Sequence, residues 1–132
     1  MSRAGEVRAF LAARGLADDA LEGGAEELVR RWEQAARDAE RERYPFGIED
    51  WLNELDGRQL LDELHAALPG ALDAALTARL AEADLRVRAA TAASPECLWG
   101  ERIAASRRWM ADRQWWYWLR PRAVAADFEG DD

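Results

Sequence analysis

The sequence predicts an all-α fold, an irregular bundle of five or six helices that form a single domain. Apolar residues recur every three or four positions over most of the chain, which is the spacing of amphipathic helices. No stretch of alternating apolar and polar residues indicates a series of strands. The 132 residues suit one domain with its own core. We expect residues 1–122 to form this domain and residues 123–132 to form an acidic, mobile tail.

The first half of the chain contains three predicted helices. The first covers residues 3–14 and has Ser2 as its N-cap, because a serine hydroxyl readily accepts a hydrogen bond from the first turn. The second begins near Ala25, after a glycine pair, and ends before Pro45, which disfavours helical backbone in the residue that precedes it. The third begins near Gly47, and carboxylates follow in its first turn, where the helix dipole favours negative charge.

The Asp56-Gly57 pair interrupts the apolar pattern of the third helix, so we expect a kink there or two separate helices. Another long helix is predicted at residues 71–90, after a Pro-Gly break. Its apolar face could pack against a neighbouring helix or against a second copy of the chain, so the protein is expected to be a monomer or a homodimer. This face consists of Leu72, Leu76, Leu80, Ala83 and Val87.

The segment after this helix is rich in tryptophan. Ser94 and Pro95 have the character of an N-cap and a first helical residue, and a further helix is predicted at residues 101–112. Residues 114–121, with the sequence QWWYWLRP, are short, aromatic and closed by a proline. Such a run fits either extended chain or the last turns of a helix, and both alternatives stay open.

Composition and charge exclude several classes of protein. The formal charge of −8 argues against nucleic-acid binding by the domain as a whole, because phosphates would be repelled. One Cys and one His are too few for a disulfide framework or for the usual zinc ligand sets. No apolar run is long enough for a membrane span and no secretory signal is recognisable, so we expect a cytoplasmic protein. We expect neither a cofactor nor a metal.

The sequence also lacks the motifs of common active sites. Glycine-rich phosphate loops, HExxH, CxxC and GxSxG are all missing. Cys97 and His65, which would have to form a nucleophile–base pair, are far apart in the sequence. We therefore expect a protein that is not an enzyme. A small enzyme with an unrecognised carboxylate site is kept as an alternative.

An acidic segment at residues 49–63 is the first candidate binding site. Its six carboxylates against the single Arg58 give a local charge of −5. If Trp51 were half-buried, it would provide an aromatic anchor inside a negative rim that attracts a basic protein partner. The alternative is that Trp51 belongs to the core and that the acids are only solvated. The predicted partner-binding residues are Asp50, Trp51, Glu54, Asp56 and Asp62.

A basic, aromatic segment at residues 101–122 is the second candidate. Its six Arg against two carboxylates give a local charge of +4. Arginines interleaved with aromatic rings are typical of single-stranded nucleic-acid platforms and of protein interface hot spots. A third interpretation is that the rings cap the core while the arginines pair with acids of the same chain. The candidate binding residues here are Arg107, Arg108, Trp115, Trp116 and Trp118.

The run YPFGIEDWLNELDGR at residues 44–58, followed much later by WWY at residues 115–117, resembles a group of small, uncharacterised helical bacterial proteins. They share the pattern Y-x-F-x-x-x-D-[YW]-x-N-[DE]-L-x-x-R and a late W-W-Y run. The resemblance implies no activity. Its polar positions here are Asp50, Asn53 and Arg58. We expect Arg58 to fold back onto Asp50 or Asn53 and thereby to fix the angle between two helices.

Together these observations predict a non-enzymatic protein-interaction module. The specific hypothesis is an immunity- or antitoxin-like inhibitor that occludes a basic partner, such as a toxic nuclease domain, with its acidic face. The alternative is binding of nucleic acid or of a nucleoprotein through residues 101–122, although the net charge makes nucleic acid the less favoured partner.

Overall fold

The computed structural model describes residues 2–129 and confirms the all-α class, with one small sheet added. Helix α2 lies at the centre and packs against α1, α3 and α4. Over the residues described, no helix is both long and apolar enough to cross a membrane. The elements are α1 (Arg3–Ala13), α2 (Asp18–Ala39), α3 (Ile48–Ala67), α4 (Ala74–Ala90), β1 (Thr91–Ala93), α5 (Glu101–Arg107), a 3₁₀ helix (Trp115–Trp118) and β2 (Leu119–Pro121).

The helix starts in the first half follow local capping chemistry. The Ser2 hydroxyl accepts a hydrogen bond from the Gly5 amide at 3.0 Å, so the predicted N-cap of α1 is confirmed. Helix α2 begins at Asp18, seven residues before the predicted start at Ala25. The reason is a kink at Gly24, which joins a short helical segment before it to the longer segment that follows. Gly24 has φ +60°, a backbone conformation that glycine adopts without strain.

Helix α3 runs without a break from Ile48–Ala67, so the predicted interruption at Asp56-Gly57 is wrong. A glycine in a helix interior destabilises the helix by only about 1 kcal/mol relative to alanine. That cost is outweighed here because the helix buries Leu55, Leu61 and Leu64 completely. The glycine is tolerated, and the neighbouring acid is used for hydrogen bonds.

The chain after α4 departs furthest from the prediction. The expected helix start at Ser94 and Pro95 is wrong, because β1 pairs antiparallel with β2 and the Ser94 amide donates to the carbonyl of Trp118 at 2.7 Å. Helix α5 ends at Arg107 rather than at residue 112, since Arg108 adopts left-handed backbone with φ +60°. Residues 114–121 combine both expected alternatives, a 3₁₀ turn followed by extended chain.

Residues 123–129 pack onto the domain, so the expected mobile tail is wrong for this stretch. The Tyr44 amide donates to the carbonyl of Ala123 at 2.8 Å, and the Ile48 amide donates to the carbonyl of Phe128 at 2.6 Å. The Phe128 ring is 1% exposed and lies edge-on to the Tyr44 ring. The remainder of the expected tail, residues 130–132, lies outside the described residues.

Candidate functional site

Trp51 is a core residue, and the predicted aromatic anchor at this position is wrong. Its side chain is 0% exposed. The indole Nε1 donates to the carbonyl of Leu119 in β2 at 3.0 Å, and the ring lies edge-on to Tyr44 with centroids 5.3 Å apart. Trp51 therefore joins α3 to the β-ribbon and is not available to a partner.

The predicted acidic residues do not form one face. Asp50 is exposed and caps α3 by accepting from the Gly47 amide at 3.3 Å, while Asp62 is exposed elsewhere on the helix. Twelve residues of helix separate these two carboxylates by about 18 Å along the axis and about 120° around it. Asp56 points to a third side, where it accepts hydrogen bonds from the Tyr117 hydroxyl and the Trp99 indole. The spacing of these acids in the sequence therefore distributes them over different sides of the helix.

Glu54 is half-buried between α2 and α3, beside a cavity of about 320 Å³. The pKa of its carboxyl is raised to about 7, chiefly by burial and also by the nearby carboxylates of Asp38 and Asp50, while Arg31 acts in the opposite direction. A carboxyl group in this position is a proton-binding group near neutral pH.

Replacing Glu54 with glutamine should stabilise the protein above neutral pH and leave it unchanged in acid. Between the ordinary pKa of 4.5 and the folded pKa of about 7, the folded state holds a proton that the unfolded state has lost, so stability falls as the pH rises through this window. We expect Glu54→Gln to gain about 2 kcal/mol near pH 8 and less than about 0.5 kcal/mol near pH 4.

Urea unfolding at the two pH values measures this difference. The matched control is Asp62→Asn, which removes an exposed carboxylate from the same helix. An equal gain at both pH values would contradict the assignment of the effect to ionised Glu54.

Arg58 holds α3 and α4 together through Asp84, not through the expected Asp50 or Asn53. Its Nε and Nη2 donate to the two carboxylate oxygens of Asp84 at 2.9 and 3.0 Å. The same carboxylate accepts from the indole of Trp32 in α2 at 2.8 Å. Helical geometry explains the correction, because an arginine on a continuous α3 points across to α4 rather than back along its own helix. Asn53 is exposed.

The aromatic rings of the basic segment are not exposed together, as a stacking platform would require. Trp116 is 1% exposed and lies under the Arg58 guanidinium, 4.4 Å from its ring centroid. Trp115 is half-buried and is covered by Arg88 at 3.8 Å, and Trp118 is half-buried too. The interpretation of these rings as a cap on the core is therefore the one that fits the geometry.

The arginines of the basic segment behave differently from its rings. Arg107 and Arg108 are exposed, as are Arg102 and Arg113. Within residues 2–129 none of these four forms an ion pair, whereas Arg120 pairs with Glu129. The expectation that the arginines are neutralised by their own chain is therefore wrong for α5 and the loop after it.

A cavity of about 520 Å³, here named the α3–α5 cavity, lies beside α3 and α5. It is within the size range of ligand-binding sites. Polar residues from three elements line it together with aromatic and aliphatic side chains. Its lining is Arg14, Leu16, Asp56, Gln59, Leu60, Glu63, Trp99, Ile103, Arg107, Trp109 and Tyr117.

The aromatic wall of the cavity is fixed by Asp56. Its Oδ1 accepts from the Tyr117 hydroxyl at 2.7 Å and from the Trp99 indole at 3.0 Å. The Trp109 ring stacks on Tyr117 with centroids 3.9 Å apart and planes 12° from parallel. Because each ring is held by a neighbour, the wall keeps its shape without a ligand.

The polar side of the cavity is only partly satisfied. Arg14 donates to Glu63 at 3.2 Å, and the Gln59 amide nitrogen donates to the other oxygen of Glu63 at 3.0 Å. The Gln59 Oε1 is buried and has no hydrogen-bond partner. Arg107 forms no ion pair with a carboxylate in the part of the chain that the structure describes. The cavity thus offers a ligand one cation, Arg107, that has no ion pair within residues 2–129.

Two of the large exposed apolar side chains, Trp99 and Ile103, line this cavity. Five such side chains are exposed in the described residues, and three of them, Trp99, Ile103 and Met110, lie on one stretch of twelve residues. Their exposed fractions are 39%, 39% and 55%. The sequence pattern of residues 101–122 predicts Trp115, Trp116 and Trp118 as binding residues, whereas the exposed indole is that of Trp99. Trp99 just precedes that segment, and its isolation from the WWYW run is the only signal that could have distinguished it.

Elsewhere the described residues offer little reactive chemistry. Cys97 is buried, and burial raises the pKa of its thiol, which disfavours the reactive thiolate. No group of three or more His, Cys, Asp or Glu in residues 2–129 is arranged to hold a metal ion. No protein-family model matches the chain, and comparisons with curated proteins and with solved structures find no significant match.

Proposed function

We propose that the protein is a non-enzymatic protein-interaction module that binds its partner at the α3–α5 cavity. The observation that carries this proposal is the exposure of Trp99 and Ile103 in the lining of a cavity of about 520 Å³. Clustered apolar side chains beside a concave site mark interaction surfaces, because exposing them to water costs free energy that a partner recovers. Interface hot spots are enriched in tryptophan and arginine, and both are present here.

Binding of nucleic acid is supported less well. A stacking platform needs several accessible rings, and in the basic segment Trp116 is buried while Trp115 is covered by Arg88. The formal charge of −8 opposes approach of a polyphosphate chain outside the immediate reach of α5.

A second candidate is the immunity- or antitoxin-like inhibitor of a basic protein, and Phe46 is the observation in its favour. Phe46 is 49% exposed at the start of α3, next to the exposed carboxylates of Glu49 and Asp50. It supplies the aromatic anchor that the buried Trp51 does not. A basic partner would be steered to this end of α3 by the acids and held by the Phe46 ring.

Site-specific photo-crosslinking in the source cells tests both candidates. A benzophenone amino acid replaces Ile103, Phe46 or Leu85 in three separate variants. Leu85 is the control, because it is 64% exposed on α4 and does not line the α3–α5 cavity. We expect a discrete protein adduct from position 103 and none from position 85.

The other outcomes are equally informative. An adduct from position 46 alone would indicate that the partner binds at the acidic end of α3 and not at the cavity. Equal labelling from all three positions, or none from position 103, would contradict the proposed function.

A further inference from the structure

We infer that the α3–α5 cavity takes an acidic peptide segment of the partner, anchored by one aromatic or large aliphatic side chain. This inference rests on the proposed function and adds the chemistry of the occupant. It is carried by the charges around the cavity rather than by the exposed apolar side chains that support the proposed function itself.

The charge around the cavity favours a carboxylate-bearing ligand. Arg107 lines the cavity, and Arg102, Arg108 and Arg113 are exposed on the same segment of the chain, in α5 and the loop that follows it. All four lack an ion pair within residues 2–129, although the chain as a whole has a formal charge of −8. Arginines left free in an acidic protein can form bidentate pairs with the carboxylates of a partner.

The carboxylates in the cavity offset only part of this charge. Asp56 is held by the Tyr117 hydroxyl and the Trp99 indole, and Glu63 is held by Arg14 and Gln59. Glu63 is neutralised by Arg14, whereas Asp56 is hydrogen-bonded only by neutral groups and keeps its negative charge. The four arginines without an ion pair outnumber this one carboxylate, and the like charge of Arg107 opposes the approach of a basic peptide.

The apolar lining of the cavity explains why the peptide should carry one aromatic or large aliphatic side chain. Leu16, Leu60, Ile103 and the half-exposed Trp99 ring line the cavity, and its volume of about 520 Å³ admits a whole aromatic side chain. A peptide with an apolar centre and acidic flanks satisfies both the wall and the arginines.

Binding of three synthetic peptides to the full chain tests this inference. Each peptide is blocked at both ends and has a Leu-Phe centre, flanked by Glu in the first, by Ser in the second and by Lys in the third. Calorimetry gives the affinity, and the NMR resonance of the Trp99 indole N–H reports whether the cavity is the site. We expect the Glu peptide to bind about tenfold more tightly than the Ser peptide at low salt and to lose this advantage in high salt.

Charge-reversal variants provide the matched comparison. Arg107→Glu should weaken binding of the Glu peptide about tenfold, whereas Arg8→Glu, a reversal at an exposed arginine of α1 outside the cavity, should change it less than about twofold. Thermal unfolding of both variants checks that each remains folded.

The outcomes separate this inference from the proposed function. If the Lys peptide moves the Trp99 resonance as strongly as the Glu peptide does, the acidic occupant is wrong while the cavity stays a protein-binding site. If the Glu peptide leaves that resonance unchanged, the inference fails, and the crosslinks from position 103 decide the proposed function independently.

Discussion

Arg58→Ala should lower the free energy of unfolding by about 3 kcal/mol, because it breaks a largely buried ion pair and leaves Asp84 with only one hydrogen-bond donor. The Arg58 side chain is 9% exposed and that of Asp84 is 20% exposed. The substitution removes two hydrogen bonds to the carboxylate and the guanidinium that covers the ring of Trp116. Chemical denaturation measures the loss.

The matched control for this prediction is Arg107→Ala. It removes an exposed arginine without an ion pair in the described part of the chain and should change stability by less than about 0.5 kcal/mol. A double-mutant cycle with Asp84→Asn isolates the pair from the lost packing. A change at Arg58 no larger than the control would mean that the ion pair does not hold α3 to α4, and it would move Arg58 to a binding role.

Trp51→Ala should destabilise the protein by about 4 kcal/mol, since it empties the site of a completely buried indole. The loss has three parts: the buried area, the edge-on contact with Tyr44 and the hydrogen bond to the carbonyl of Leu119. Thermal and urea unfolding of the purified variant measure it. Where the alanine variant does not accumulate, Trp51→Phe serves instead, with an expected loss of about 1–2 kcal/mol.

Trp99→Ala is the control for the Trp51→Ala prediction, because it removes an indole from the surface and not from the core. Trp99 is 39% exposed, so its removal should cost less than about 1.5 kcal/mol of stability while abolishing the expected crosslinks at the α3–α5 cavity. If the two tryptophans behaved alike in unfolding, the division between a core indole and a surface indole would be wrong.

Helical periodicity was sufficient to predict most of the fold. The positions of α1, α3 and α4 follow from their apolar spacing, and Ser2 marks the start of α1. What periodicity could not predict were the contacts between distant segments. Ser94 and Pro95 have all the local features of a helix start, yet the strand pairing of residues 91–93 with 119–121 overrides them.

The candidate site was harder to predict for a related reason. A run of acidic residues in a sequence does not show which way each side chain faces. On the continuous helix α3, Asp50 and Asp62 lie on different sides. Exposure is set by tertiary packing, so no local feature distinguishes the buried Trp51 from the half-exposed Trp99. Arg58 was expected to be structural, and it is, but its partner on α4 is twenty-six positions away and no spacing rule indicates it.

The late segment that covers Trp51 and Tyr44 has a consequence for biosynthesis. Leu119, Ala123 and Phe128 supply the carbonyl groups and the ring that complete the surroundings of residues in α3 and in the loop before it. Until residues 119–128 have been translated, the helices made before them cannot bury these two large aromatic side chains, which stay exposed to water or to a chaperone. We expect the nascent chain to gain resistance to proteases only when residues 119–128 have left the exit tunnel and can pack.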